Sequence, residues 1–121
     1  MCYGKDMPRT ARIFQRAICY HLMNRGLNRT RIFEDDADKK WFSDAIKDYK
    51  EICGANVYHW VWMDTHWHML AEVVYDNLRG FVGGVQQVYA QYHHKRHGTS
   101  GVFRDGRFKS RPVQIGEYLT R

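Results

Sequence analysis

Long apolar runs, proline and cysteine are all scarce in this 121-residue chain. No apolar stretch approaches the ~20 residues that a membrane-spanning helix needs. The segment from Met1 to Arg12 is polar and basic with no apolar run behind it, so a secretory signal is not expected. Pro8 and Pro112 are the only prolines, and there is no internal repeat, low-complexity tract or Pro/Gly/Ser linker. One domain spanning 1–121 is therefore expected, with residues 1–10 as a flexible basic tail. Cys2, Cys19 and Cys53 are odd in number and widely spaced, which argues against a disulfide framework and against a cysteine-based zinc site. Together these absences read as a soluble, intracellular chain.

Apolar and aromatic residues are plentiful enough to fill a core, so disorder is not expected. Acids are scarce at both ends. Residues 1–32 carry seven Lys/Arg against one Asp, 33–91 carry five against ten acids, and 92–121 carry seven against two. Charge that serves only solubility has no reason to segregate in this way, and a polyanion is the commonest partner for basic ends.

Apolar alternation predicts a strand over Ala17–Asn24, followed by a polar connection from Arg25 to Arg31. Asp35 or Asp36 can cap a helix whose apolar face carries Phe42, Ala45, Ile46, Tyr49, Ile52 and Cys53, with Gly54 placed to end it. Two strands follow, Ala55–Met63 and His66–Val74. The short Asp64-Thr65 connection between them makes antiparallel pairing the economical answer. A second helix is expected over Asn77–His94, with Leu78, Phe81, Val82, Val85, Val88, Tyr89 and Tyr92 on one side. Gly98 and Gly101 bound a loop, Arg107–Val113 reads as a short strand, and Glu117–Arg121 as the start of a helix that the chain does not finish. The order β-α-β-β-α-β predicts an α+β, ferredoxin-like (RRM-like) sandwich with an antiparallel sheet and the His-x-His pair on an inner strand.

His66-Trp67-His68 is the sharpest local feature. Side chains two apart on a strand share a face, so both imidazoles point one way and Trp67 the other. Such a pair is a natural start for a divalent-metal site that needs a third ligand, although ordinary surface or core histidines give the same pattern. His93, His94 and His97, with Lys95 and Arg96, form a basic cluster at a helix end. Helix-dipole complementation explains it simply, and phosphate contact ranks above metal binding there. Phe103, Arg104, Arg107, Phe108, Lys109 and Arg111 interleave rings with cations, as single-strand nucleic-acid surfaces do, or as a buried Phe pair among solvated charges would. Tyr92 is the one internal tyrosine to consider as a nucleophile, against the commoner role of packing.

Jointly these residues resemble a family. The run Tyr20-His21-Leu22-Met23-Asn24-Arg25-Gly26, then Asn28-Arg29, then Ile32-Phe33 with Asp35-Asp36-Ala37-Asp38, resembles the opening of single-tyrosine (HUH-type) transposases, especially the REP-associated kind. His66-Trp67-His68-Met69-Leu70 is similar to their His-hydrophobic-His signature, and Gly101 to Ser110 to a further block. The resemblance implies a transposase that cleaves and rejoins single-stranded DNA, often hairpin-flanked, without ATP. A helix-borne tyrosine attacks the scissile phosphate and leaves a 5′-phosphotyrosine intermediate. It implies Mg²⁺ or Mn²⁺ as cofactor with His66 and His68 as ligands. Arg25, Arg29, Arg31, Lys95, Arg104, Arg107, Lys109 and Arg111 become candidate contacts to DNA. It further implies a prokaryotic cytoplasmic protein associated with the nucleoid, no membrane partner, and either monomer or homodimer.

One departure stands out. In the family the nucleophile lies on a helix after the Phe-Lys-Ser block, with an Asn or Gln four residues on as third ligand. Here Tyr118 resembles a tyrosine about two turns before that nucleophile, so the attacking residue is expected beyond Arg121. Two other readings stay open: a non-catalytic single-stranded nucleic-acid binder on the same fold, and a metal-dependent nuclease whose nucleophile is water.

Overall fold

The computed structural model describes residues 16–102, 104 and 106–113. The expectations for residues 1–10, Phe103 and Glu117–Arg121 fall outside these. Six elements follow one another: β1 (Ala17–Arg25), α1 (Asp36–Cys53), β2 (Asn56–Trp62), β3 (His66–Val74), α2 (Tyr75–His97) and β4 (Lys109–Pro112). A 3-10 turn at Leu27–Arg29 lies between β1 and α1. The strands form one antiparallel sheet in the order β2-β3-β1-β4, the ferredoxin-like arrangement that the sequence predicts, and β3 is an inner strand.

β1 and β3 pair along their whole length, from Ala17 opposite Val74 to Arg25 opposite His66. Period-two alternation then sorts their side chains. Tyr20, Leu22, Trp67, Met69, Ala71 and Val73 are buried toward the helices. Cys19, His21, Met23, Arg25, His66, His68 and Glu72 lie on the other face, called here the histidine face.

α1 starts where Asp35 accepts the Asp38 N–H at 3.1 Å, with Asp36 and Asp38 suiting the positive end of the helix. Gly54, left-handed at φ 67°, ends it. Phe42, Ala45, Ile46 and Cys53 are buried, whereas Ile52 points to solvent. Cys53 is buried near the end of α1, and Cys19 is a buried free thiol on β1. α2 starts two residues earlier than periodicity predicts, because the chain passes from β3 into the helix with no linker. It ends three residues later, where Gly98 takes φ 66°. Leu78, Phe81, Val82, Val85 and Tyr89 form its buried stripe, and each such side chain contributes ~1.5–3 kcal/mol. A Cβ on Gly84 would meet Tyr49 at 2.4 Å, so the close approach of the helices depends on that glycine.

β4 is shorter than predicted and lies on the outer edge of β1, where the missing N–H of Pro112 is tolerated. Buried Asn24 joins the layers: its amide donates to Gln86 at 2.6 Å and to the Gly106 carbonyl at 3.3 Å. Among the described residues no helix is long and apolar enough to cross a membrane.

Candidate metal centre and nucleic-acid interface

Strand periodicity and burial place the central pair. Trp67 is driven into the core against Phe42 and Trp62, and this turns His66 and His68 onto the opposite face. Their ring centroids are 5.1 Å apart and the rings nearly perpendicular. Each ring is held at Nδ1, His66 by Thr65 Oγ1 at 3.3 Å and His68 by His21 Nε2 at 3.1 Å. No partner occupies Nε2 of either ring among the described residues. Burial, then His21 and His66, lower the pKa of His68, which favours the neutral imidazole that a metal requires. Two nitrogen donors on one rigid strand, with both Nδ1 atoms already engaged, fit a divalent ion. No third His, Cys, Asp or Glu joins this pair closely enough to share one ion among the described residues.

The pair opens into a cleft of ≈ 400 Å³ lined by Met23, Arg25, Gly26, Arg29, Thr65, His66 and His68. The structure therefore brings Arg25 and Arg29 to the histidines. Arg29 follows Asn28, and both are left-handed, at φ 63° and 53°. For a non-glycine residue this costs on the order of 1 kcal/mol. The loop is held by Thr30, whose N–H and hydroxyl both bond the Leu27 carbonyl. Gly26 N–H, donating to the Thr65 carbonyl at 2.8 Å, ties it to the turn before His66. Lys109 and Arg111 stand opposite Met23 and His21 in the β1–β4 ladder, which puts them on the histidine face as well.

The other candidate cations are placed differently. Arg31 lies 3.6 Å from both Glu34 and Asp64 at the surface. Half-buried Arg104 bridges to Gly26 and lines a small cavity behind the cleft with Asn24, Gln86 and Tyr89. Arg107 is exposed in the turn before β4, and Lys95 is exposed on the last turn of α2, across the sheet from the histidines.

Two members of the cluster at the end of α2, Arg96 and His97, meet acids. Arg96 makes a two-pronged contact with Asp35, 2.7 Å on each oxygen, and reaches Asp38 at 2.6 Å. Fully buried Asp38 also takes the Glu34 N–H at 2.9 Å, Tyr92 at 2.8 Å and His97 at 2.9 Å. Burial pushes its carboxyl up, but the Glu34 N–H, Tyr92, Arg96 and His97 outweigh that and leave it lowered. Ligand atoms of Asp38, His93 and His97 lie within 4.8 Å of one another, a set that could hold a metal ion. The direct contacts make it first a clamp between the start of α1 and the end of α2. Tyr92 belongs to this clamp. It stacks on Trp41 at 4.4 Å, and burial and Asp38 raise its pKa away from the phenolate form. The structure does not bring it to His66 and His68.

Sequence reasoning missed two participants. His21 was legible only as the second residue of the Tyr20-His21 run. Its place beside His68 follows from the β1–β3 register, which alternation cannot supply. As sequence, Asp38 is one more helix-start acid; its burial depends on packing between α1 and α2.

The sequence model of a transposase family described as IS200-like matches residues 14–108. The fold is similar to that of a REP-associated tyrosine transposase bound to a REP hairpin, with TM-score 0.62 and 11% identity over 99% of this chain and 67% of that one. It is equally similar to a structure described as a transposase of Deinococcus radiodurans R1, with TM-score 0.62 and 16% identity over 99% of this chain and 92% of that one. At these identities the two structures speak for the fold alone. No curated protein matches the sequence.

Proposed function

Because the chain belongs to the IS200-like transposase family, we propose that it acts on single-stranded DNA, often beside a hairpin. It would cleave and rejoin the strand in a metal-dependent reaction through a 5′-phosphotyrosine. The observation that carries this reading is the single cleft shared by His66, His68, Arg25 and Arg29. His66 and His68 would hold Mg²⁺ or Mn²⁺ through Nε2. When bound, the ion supplies Lewis-acid polarisation of a phosphate oxygen. Arg25 and Arg29 would seat the backbone phosphates flanking the scissile bond, and Lys109 and Arg111 would extend the cationic track along the same face. The REP hairpin held by a protein of the same fold supports a hairpin-bearing strand as the partner.

The attack itself is assigned to the tyrosine expected beyond Arg121, and not to Tyr20, Tyr58, Tyr89 or Tyr92. Tyr20 and Tyr89 are buried toward the helices, and Tyr92 is in the clamp. Tyr58 shares the histidine face but donates to Glu72, four residues beyond His68 and so about 13 Å along the strand.

The test uses a hairpin oligonucleotide with single-stranded flanks, followed by fluorescence anisotropy and denaturing gels. Binding should weaken steeply with salt, and Arg25→Ala should flatten that dependence. In a protein that extends through the tyrosine expected beyond Arg121, a Mn²⁺-dependent protein–DNA adduct that survives denaturation and is lost in His66→Ala supports the full reading. In that protein, binding without an adduct supports the non-catalytic binder, whereas cleavage with no adduct at any stage supports attack by water. Absence of salt-dependent DNA binding would refute the proposal altogether.

A further inference from the structure

His21 lies diagonally across the β1–β3 ladder from His68, since His21 stands opposite Leu70 and Met23 opposite His68. The two rings are parallel within 8°, with centroids 5.2 Å apart, and His21 Nε2 meets His68 Nδ1 at 3.1 Å. One nitrogen of that bond must donate and the other accept. If His21 donates, the proton of neutral His68 sits on Nε2 and blocks coordination there. If His21 accepts, His68 carries its proton on Nδ1 and Nε2 offers a lone pair.

His21 is not itself placed as a third ligand. Its facing nitrogen is spent on His68, and it forms no three-donor group with the pair among the described residues. We propose that His21 is a positioning residue: by accepting the Nδ1 proton of His68, it fixes the ring and tautomer that bind the metal through Nε2. This rests on the reading above that His66 and His68 hold the ion. Partners of this type orient metal-bound histidines, and their loss commonly weakens metal affinity about 10–100-fold.

Mn²⁺ titration, with free ion read by electron paramagnetic resonance, tests the assignment on wild type, His21→Ala, His21→Gln and His66→Ala. Imidazole nitrogen NMR of the metal-free protein adds a second readout. His21→Ala should weaken Mn²⁺ about 10–100-fold. His21→Gln, whose Oε1 can accept where Nε2 did, should recover most of it. The His68 Nδ1–H signal should be present in wild type and in the Gln variant and lost in the Ala variant. Wild-type affinity in His21→Ala, alongside weak binding in His66→Ala, would overturn the role of His21 and leave the metal pair standing. Equal losses in the Ala and Gln variants would overturn the acceptor role. Wild-type Mn²⁺ affinity in His66→Ala would remove the metal pair, and the proposal with it.

Discussion

Replacing Asp38 with Asn changes almost no volume, so any effect reports the hydrogen bonds of the clamp. Glu34 N–H, Tyr92, Arg96 and His97 all present donors, because an ionised carboxylate can only accept. An amide offers one oxygen, and its NH₂ must face two of the four. Two charge-assisted bonds at about 1.5 kcal/mol each give a loss of about 3 kcal/mol. Arg96 keeps its contact with Asp35, so the full penalty of a buried unpaired charge does not apply. At about 4 °C per kcal/mol, the melting temperature at pH 7 should fall by about 12 °C. The pH dependence is fixed in sign. The pKa of Asp38 is lowered in the folded state, so its stabilisation is complete above the unfolded value near 4 and fades as pH falls through the folded one. Circular-dichroism melts from pH 7 to pH 2.5 should show the gap between wild type and variant closing below about pH 4. A fall under about 3 °C at pH 7, or a gap that does not change with pH, would refute the clamp.

Arg29→Gly should raise stability by about 1 kcal/mol by relieving the left-handed backbone, while removing one of the proposed phosphate contacts. A higher melting temperature, with a salt slope for single-stranded DNA shallower by about 0.7, is the expected pair of results. Gly84→Ala, which in an open helix position would stabilise, should here destabilise by about 1 kcal/mol because the new Cβ meets the Tyr49 ring. Adding Tyr49→Leu should recover that loss, and simple additivity of the two changes in urea unfolding would contradict the contact.

Local periodicity carried most of the fold. The Asp35 cap, the Gly54 stop, the Asp64-Thr65 connection and the α2 stripe all depend on residues within a turn or two of one another. For the same reason His66 and His68 were legible as a pair: two residues on one strand share a face whatever the strand packs against. The shift in the C-terminal end of α2 reflects capping, since Gly98 rather than the last apolar residue stops the helix. His21 and His68 are 47 residues apart, and Arg96 and Asp35 61 apart. Their meetings are properties of register and helix packing that no local pattern encodes. The basic cluster at the end of α2 illustrates the cost: as sequence it reads as a surface for anions, and in the fold Arg96 and His97 find theirs in Asp35 and Asp38.

β3 is bonded along both edges, to β1 and to β2, through the His66–His68 segment. Moving either histidine's backbone means breaking two ladders at once, so the amides of 66–68 should exchange with solvent only through the deepest openings of the fold. The pair is thus a fixed anvil. Under the proposed reading, whatever travels during a reaction at this face is the bound strand or the loop at 26–30, coming to the histidines rather than the reverse.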